Sequence, residues 1–107
     1  MKKIEVLVPQ FMIEIHNEID GAQKKLAGNG IRLKFLHEKF EEIENQKNGA
    51  LKGVQKTLDF LKKNNMTDTK VQGKSYTMGQ VVIDSFAVQL EALKLGLQSY
   101  ISELVKA

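Results

Sequence analysis

From Phe11 onward the apolar residues step by four and three: Phe11, Ile15, Ile19, Ala22, Leu26. That spacing draws one stripe down a helix. It predicts a helix over residues 10–27, opened by Pro9, whose missing N–H costs nothing in a first turn. Upstream, Ile4-Glu-Val-Leu-Val8 alternates loosely and predicts a short N-terminal extended segment. Ala27-Gly-Asn-Gly30 supplies the glycine and asparagine of a left-handed cap and turn.

A second stripe runs Leu33, Leu36, Phe40, Ile43 and continues through Lys47, Ala50, Val54, Leu58 and Leu61. Asn48-Gly49 is a turn signal, yet the stepping stays in phase across it. A turn has no reason to preserve helical phase, so one helix over residues 31–63 is expected, about 50 Å long at 1.5 Å per residue. Gly49 and Gly53 would each cost it about 1 kcal/mol relative to alanine, offset if they let another helix approach closely. The alternative breaks the helix at Asn48-Gly49. A third stripe follows after a polar connection at residues 64–70: Val82, Phe86, Leu90, Leu93, Leu97, Tyr100 or Ile101, Leu104. The predicted fold is all-α, one domain over residues 1–107. It is an antiparallel bundle of three long helices, or four with the break, packed in coiled-coil fashion.

Between the second and third stripes stands Val71-Gln-Gly-Lys-Ser-Tyr-Thr-Met-Gly-Gln80. Gly73-Lys74-Ser75 looks like the end of a phosphate-binding loop, G-x-x-x-x-G-K-[ST]. The first glycine of that loop would fall at position 68, which is Asp68, a carboxylate where amides should cradle an anion. A cap explains more. Thr77 and Gln80 have the spacing of a capping box, and Tyr76 can staple onto Val81. Val71 to Tyr76 reads as a short extended segment, with the helix beginning near Met78.

Composition narrows the function. The apolar share of 42% and charged share of 27% are those of a folded protein rather than a disordered one. With no cysteine there is no disulfide, thiolate nucleophile or sulfur-based zinc site. Glu5, Pro9 and Glu14 interrupt the N-terminal apolar run, so a signal peptide is not expected. No stretch of about 18 apolar residues is available to span a membrane. The cytoplasm is the expected location, with Sec-independent export the other route.

The net charge of +3 is unevenly spread. Residues 47–74 carry seven lysines against two aspartates, while the segments on either side are each net −1. Fifteen of the sixteen basic residues are lysine, and arginine is the better clamp for phosphates and bases. Lys52, Lys56, Lys62 and Lys63 form the stripe that would meet an anion or a nucleic acid; otherwise they are the wet side of a helix.

Candidate chemistry is sparse. His16 has Asp20 four residues on, and His37 has Glu41. Neither pair supplies three metal ligands alone, and the two together would need their helices to meet. Glu38, Glu41, Glu42 and Glu44 read as a solvated acidic face. No catalytic residue, cofactor or metal site is assigned, and an enzyme is not expected.

Unequal helix lengths point instead to docking. A first helix of about 27 Å cannot cover a seam between helices of about 50 and 42 Å. Leu51, Val54, Leu58 and Leu61, or Leu90, Leu93 and Leu97 facing them, are expected to need a partner, either another protein or a second copy. In size and composition the chain is similar to the small helical partners of bacterial secretion systems. These include the family of small secreted helical hairpins with a Trp-x-Gly turn; that turn is absent here, as is tryptophan. The expected function is a non-enzymatic interaction module: an adaptor, chaperone or inhibitor, such as a bacterial secretion-system or mobile-element accessory protein. The alternative is a nucleic-acid-associated protein using residues 47–74.

Overall fold

Three helices form an all-α bundle: α1 (Ile4–Lys25), α2 (Gly30–Lys63) and α3 (Met78–Lys106). A computed structural model describes residues 3–64, 68–71 and 74–106, and for 68–71 and 74–77 it describes the backbone. There, β1 (Asp68–Val71) pairs antiparallel with β2 (Lys74–Thr77), with Asp68 opposite Thr77 and Val71 opposite Lys74. The extended segment expected at 71–76 is thus part of a two-stranded hairpin.

α1 begins earlier than the stepping from Phe11 suggests. Residues 4–8 are helical, not extended, and Pro9 lies inside the helix. Ile4, Leu7 and Val8 pack against the core, while Val6 is 60% exposed. Helical spacing aligns Ile4, Leu7 and Val8 with Phe11 on one stripe; strand alternation would have buried Val6 instead. An interior proline costs a helix about 3 kcal/mol. Fully burying an aliphatic side chain contributes about 1.5–3 kcal/mol; Ile4, Leu7 and Val8 are each partly buried, so the three together offset that cost. The result is an α1 about 33 Å long.

The chain reverses after α1 at Gly28, whose φ of +89° only glycine adopts without strain. The backbone N–H of Leu26 donates to the Ala22 carbonyl at 3.0 Å. Asn29 then caps α2, its Oδ1 accepting from the Arg32 N–H at 3.1 Å.

α2 runs unbroken through Asn48-Gly49 for 34 residues. Leu36, Ile43, Lys47, Val54 and Leu61 are buried along it, and a turn at Gly49 would swing half of them away from α3. Gly49 and Gly53 do not admit a neighbouring helix within the chain. A Cβ placed on either meets nothing within 4 Å, and both are exposed.

Side-chain pairs set the helix directions. Lys94 bonds Glu14 and Gln98 bonds Glu18, so α1 and α3 run parallel. Gln23 bonds His37, and His16 stacks against Phe40, so α1 and α2 are antiparallel. Leu58 packs beside Gly79, and Lys39 lies over the Tyr100 ring, so α2 and α3 are antiparallel. The core joins all three helices, with Phe86, Ile15, Leu36 and Leu97 its largest fully buried side chains. Lys47 stands among them at 8% exposure. No buried side-chain nitrogen or oxygen among the described residues lacks a partner, so the Lys47 stem packs inside while its ammonium reaches the edge.

Candidate docking face

Of the seven apolar residues among which an uncovered patch is expected, none is exposed. Val54, Leu61, Leu90 and Leu97 are buried, and Leu51, Leu58 and Leu93 are half-buried against the core. Two causes act together. α1 is longer than expected, and α2 and α3 close directly on each other along most of their shared length. These residues hold the bundle together, and the bare apolar surface lies elsewhere.

Some of it is scattered, at Val6 and Ile13 of α1 and at Ile31; the part that adjoins an open groove lies on the outer side of α2 and α3. A groove of about 400 Å³ runs between them, lined by Ala50, Gly53, Val54 and Thr57 of α2 and by Val81, Val82, Ser85, Phe86 and Gln89 of α3. α1 contributes nothing to its walls. The groove exists because Gly53, Ala50 and Ser85 are small where larger side chains would fill the gap.

Beside the groove, α3 carries a second apolar stripe. Val81, Val88 and Leu95 are 43%, 69% and 54% exposed. They recur every seven residues, two helical turns, and so share one outward line. Ser85 and Ala92 stand exposed between them, Ser99 follows, and Asp84 and Glu91 are exposed beside the line. The charges of α3 are Asp84, Glu91, Lys94, Glu103 and Lys106. α3 therefore has an apolar side facing the core and three exposed apolar residues facing out, with Asp84 and Glu91 beside them.

α2 borders the groove differently. Phe35 and Phe60 are 45% and 57% exposed near its two ends. Between them Glu38, Glu41 and Glu42 are exposed on the N-terminal side of Gly49, with Glu44 half-buried; Lys52 and Lys56 are exposed on the C-terminal side, continued by Lys62 and Lys63. Lys39 bonds Glu42 at 3.4 Å. None of the four lysines forms an ion pair with another described residue.

The histidine pairs do approach each other. His16, Asp20 and His37 line one cavity of about 230 Å³ with Ile19, Gln23 and Phe40. His37 Nε2 sits 2.9 Å from Gln23 Nε2, and the His16 ring lies 5.2 Å from the Phe40 ring. Each histidine thus already has a neighbour that orients it. Among the described residues no three His, Cys, Asp or Glu side chains are grouped to hold a metal ion.

Lys94 forms two ion pairs, 3.1 Å from Glu91 and 3.4 Å from Glu14. Its hydrogen bond to Glu91 raises its pKa above the ordinary 10.5; partial burial opposes this and Glu14 adds to it. The pair with Glu14 fixes α1 against α3.

The phosphate-loop and capping-box readings fall largely outside the described residues, which omit Gly73 and the side chains of Tyr76 and Thr77. α3 does begin at Met78, directly after Thr77. No helix among the described residues is long and apolar enough to cross a membrane. Comparison with protein-family models, with curated proteins and with solved structures gives no match.

Proposed function

We propose that this chain is a non-enzymatic docking protein, an adaptor, chaperone or inhibitor, that receives a partner helix along the outer side of α2 and α3. One observation carries the reading: an open groove edged by Val81, with exposed Val88 and Leu95 continuing from it at heptad spacing along α3 beside Asp84 and Glu91. Single exposed apolar residues are ordinary on any protein. Three at heptad spacing beside a groove of small residues form the pattern that seats an amphipathic helix. Cytoplasmic action is part of the proposal, since a cysteine-free chain suits a reducing compartment.

The test is a triple variant, Val81→Glu, Val88→Glu and Leu95→Glu, checked for native helicity by circular dichroism. Immobilised wild-type chain should retain a partner that the variant loses by about ten-fold or more. Ile13→Glu, at a site 57% exposed on α1, is the control and should retain it. Equal retention by the triple variant refutes the assignment.

A second reading rests on Lys52, Lys56, Lys62 and Lys63, all exposed and free of ion pairs among the described residues. Such a stripe would bind nucleic acid through phosphates, with affinity falling steeply as salt rises. Retention on duplex and single-stranded DNA at two salt concentrations decides it; no retention at low salt removes it.

A further inference from the structure

We infer that the occupant of the α2–α3 face is a second copy of this chain, packed antiparallel about a two-fold axis near Gly49. The inference rests on the docking reading above and supplies its partner. The exposed charges of α2 are unevenly spread about Gly49: Glu38, Glu41 and Glu42 outnumber Lys34 before it, and Lys52, Lys56, Lys62 and Lys63 outnumber Asp59 after it. A parallel pairing would lay like charge on like. An antiparallel pairing lays each acidic half over the basic half of the other copy, and a two-fold axis does so on both sides at once.

The spacing fits that axis. Glu42 stands seven residues before Gly49 and Lys56 seven after, so Glu42 of each copy meets Lys56 of the other. Phe35 and Lys63 stand fourteen before and after, which sets an exposed ring against an ammonium. At the axis itself Gly49 is exposed with open space around its Cα, so two α2 backbones can cross closely there.

α3 obeys the same symmetry. Val81 and Leu95 are equidistant from Val88, so Val88 meets its own copy while Val81 meets Leu95. The two centres lie near one level, because Ala50 and Gly53 share the groove with Gln89. Area suffices as well. Two adjacent helices over about 40 Å of length, each about 10 Å across, present roughly 800 Å², which is what one side of a stable interface requires.

The test exchanges charge between two forms of the full-length chain. One carries Glu38→Lys and Glu42→Lys; the other carries Lys52→Glu and Lys56→Glu. Sedimentation equilibrium should show the wild-type chain as a dimer at micromolar concentration. Each form alone should self-associate at least about ten-fold more weakly, since like charges now face each other. Mixed in equal amounts, the two should form a heterodimer at least as tight as the wild type. A wild-type chain that stays monomeric at about 100 μM overturns the inference, as does a mixture that pairs no better than its components. The triple glutamate variant separates the two levels. If the chain is monomeric yet wild type still retains a partner helix that the variant loses, the docking reading stands and the second copy does not.

Discussion

Replacing Gly49 and Gly53 by alanine should stabilise the folded monomer. Both lie well inside α2, far from its caps at Asn29 and Asn64. A Cβ added at either meets no atom within 4 Å, so neither substitution brings a clash. Glycine loses more backbone freedom on folding than alanine does, and the gain at a compatible site is about 0.4–1 kcal/mol. The pair together should therefore contribute about 1–2 kcal/mol. For a chain of this length about 1 kcal/mol moves the melting temperature by about 4–5 °C, so the double variant should melt about 4–10 °C higher. Circular dichroism melts and urea titrations, run dilute enough to keep the chain monomeric, measure it. The urea slope should not change, because the surface exposed on unfolding is the same. A lower melting temperature would refute an unbroken, openly exposed helix at Asn48-Gly49. At high concentration Gly49→Ala acts on a second quantity, since a methyl at the crossing point weakens self-association. Stability and dimer affinity should then move in opposite directions.

Three further outcomes are expected. Asn29→Ala removes the cap bond to Arg32 and should cost about 1 kcal/mol in urea titration, whereas Asn29→Asp should retain most of it. Lys47→Met keeps the stem in the core and removes an ammonium that already reaches the edge, so stability should change by less than about 1 kcal/mol; a larger loss would show that the ammonium has a role in the fold. Because the folded protein holds Lys94 above its ordinary pKa of 10.5, its contribution is complete below that pH and fades as pH rises through the folded value. Melting temperature should fall in that alkaline window, and less steeply in Lys94→Met.

The long, periodic parts of the fold were legible because their phase repeats. α2 was readable through Asn48-Gly49 since Lys47 and Ala50 kept the stripe that Ile43 and Val54 define, and α3 was readable from Phe86, Leu90 and Leu97. The start of α1 was not. Ile4, Val6 and Val8 alternate, and five residues cannot separate a strand from a helix; burial of Leu7 decides, and burial is a tertiary fact. The hairpin was legible as extended backbone around Gly73, without its pairing. The candidate face was misplaced for a related reason. Unequal lengths showed that α1 falls short, but not which side of α2 and α3 it occupies. The signal was present in Val81, Val88 and Leu95, a heptad offset from the core line, and it became meaningful once Phe86 and Leu97 were seen to face inward. That His16 and His37 share a cavity needed the antiparallel placement of α1 and α2, which a turn at Gly28 implies.

The parallel pairing of α1 with α3 bears on the order of assembly. Glu14 and Lys94 meet across 80 residues of chain, whereas α2 ends at Lys63 and α3 begins at Met78. Loop closure penalises the distant pairing more, and contacts of long sequence separation form late. α1 packs little on α2, its neighbour across the Gly28 turn, and depends on the distant α3, so it should latch on last during refolding and lift away first in the native state. Its amides should trade protons for deuterons sooner than those of the α2–α3 seam, and while it is lifted, the inner flanks of Phe86 and Leu90 are briefly laid open to water.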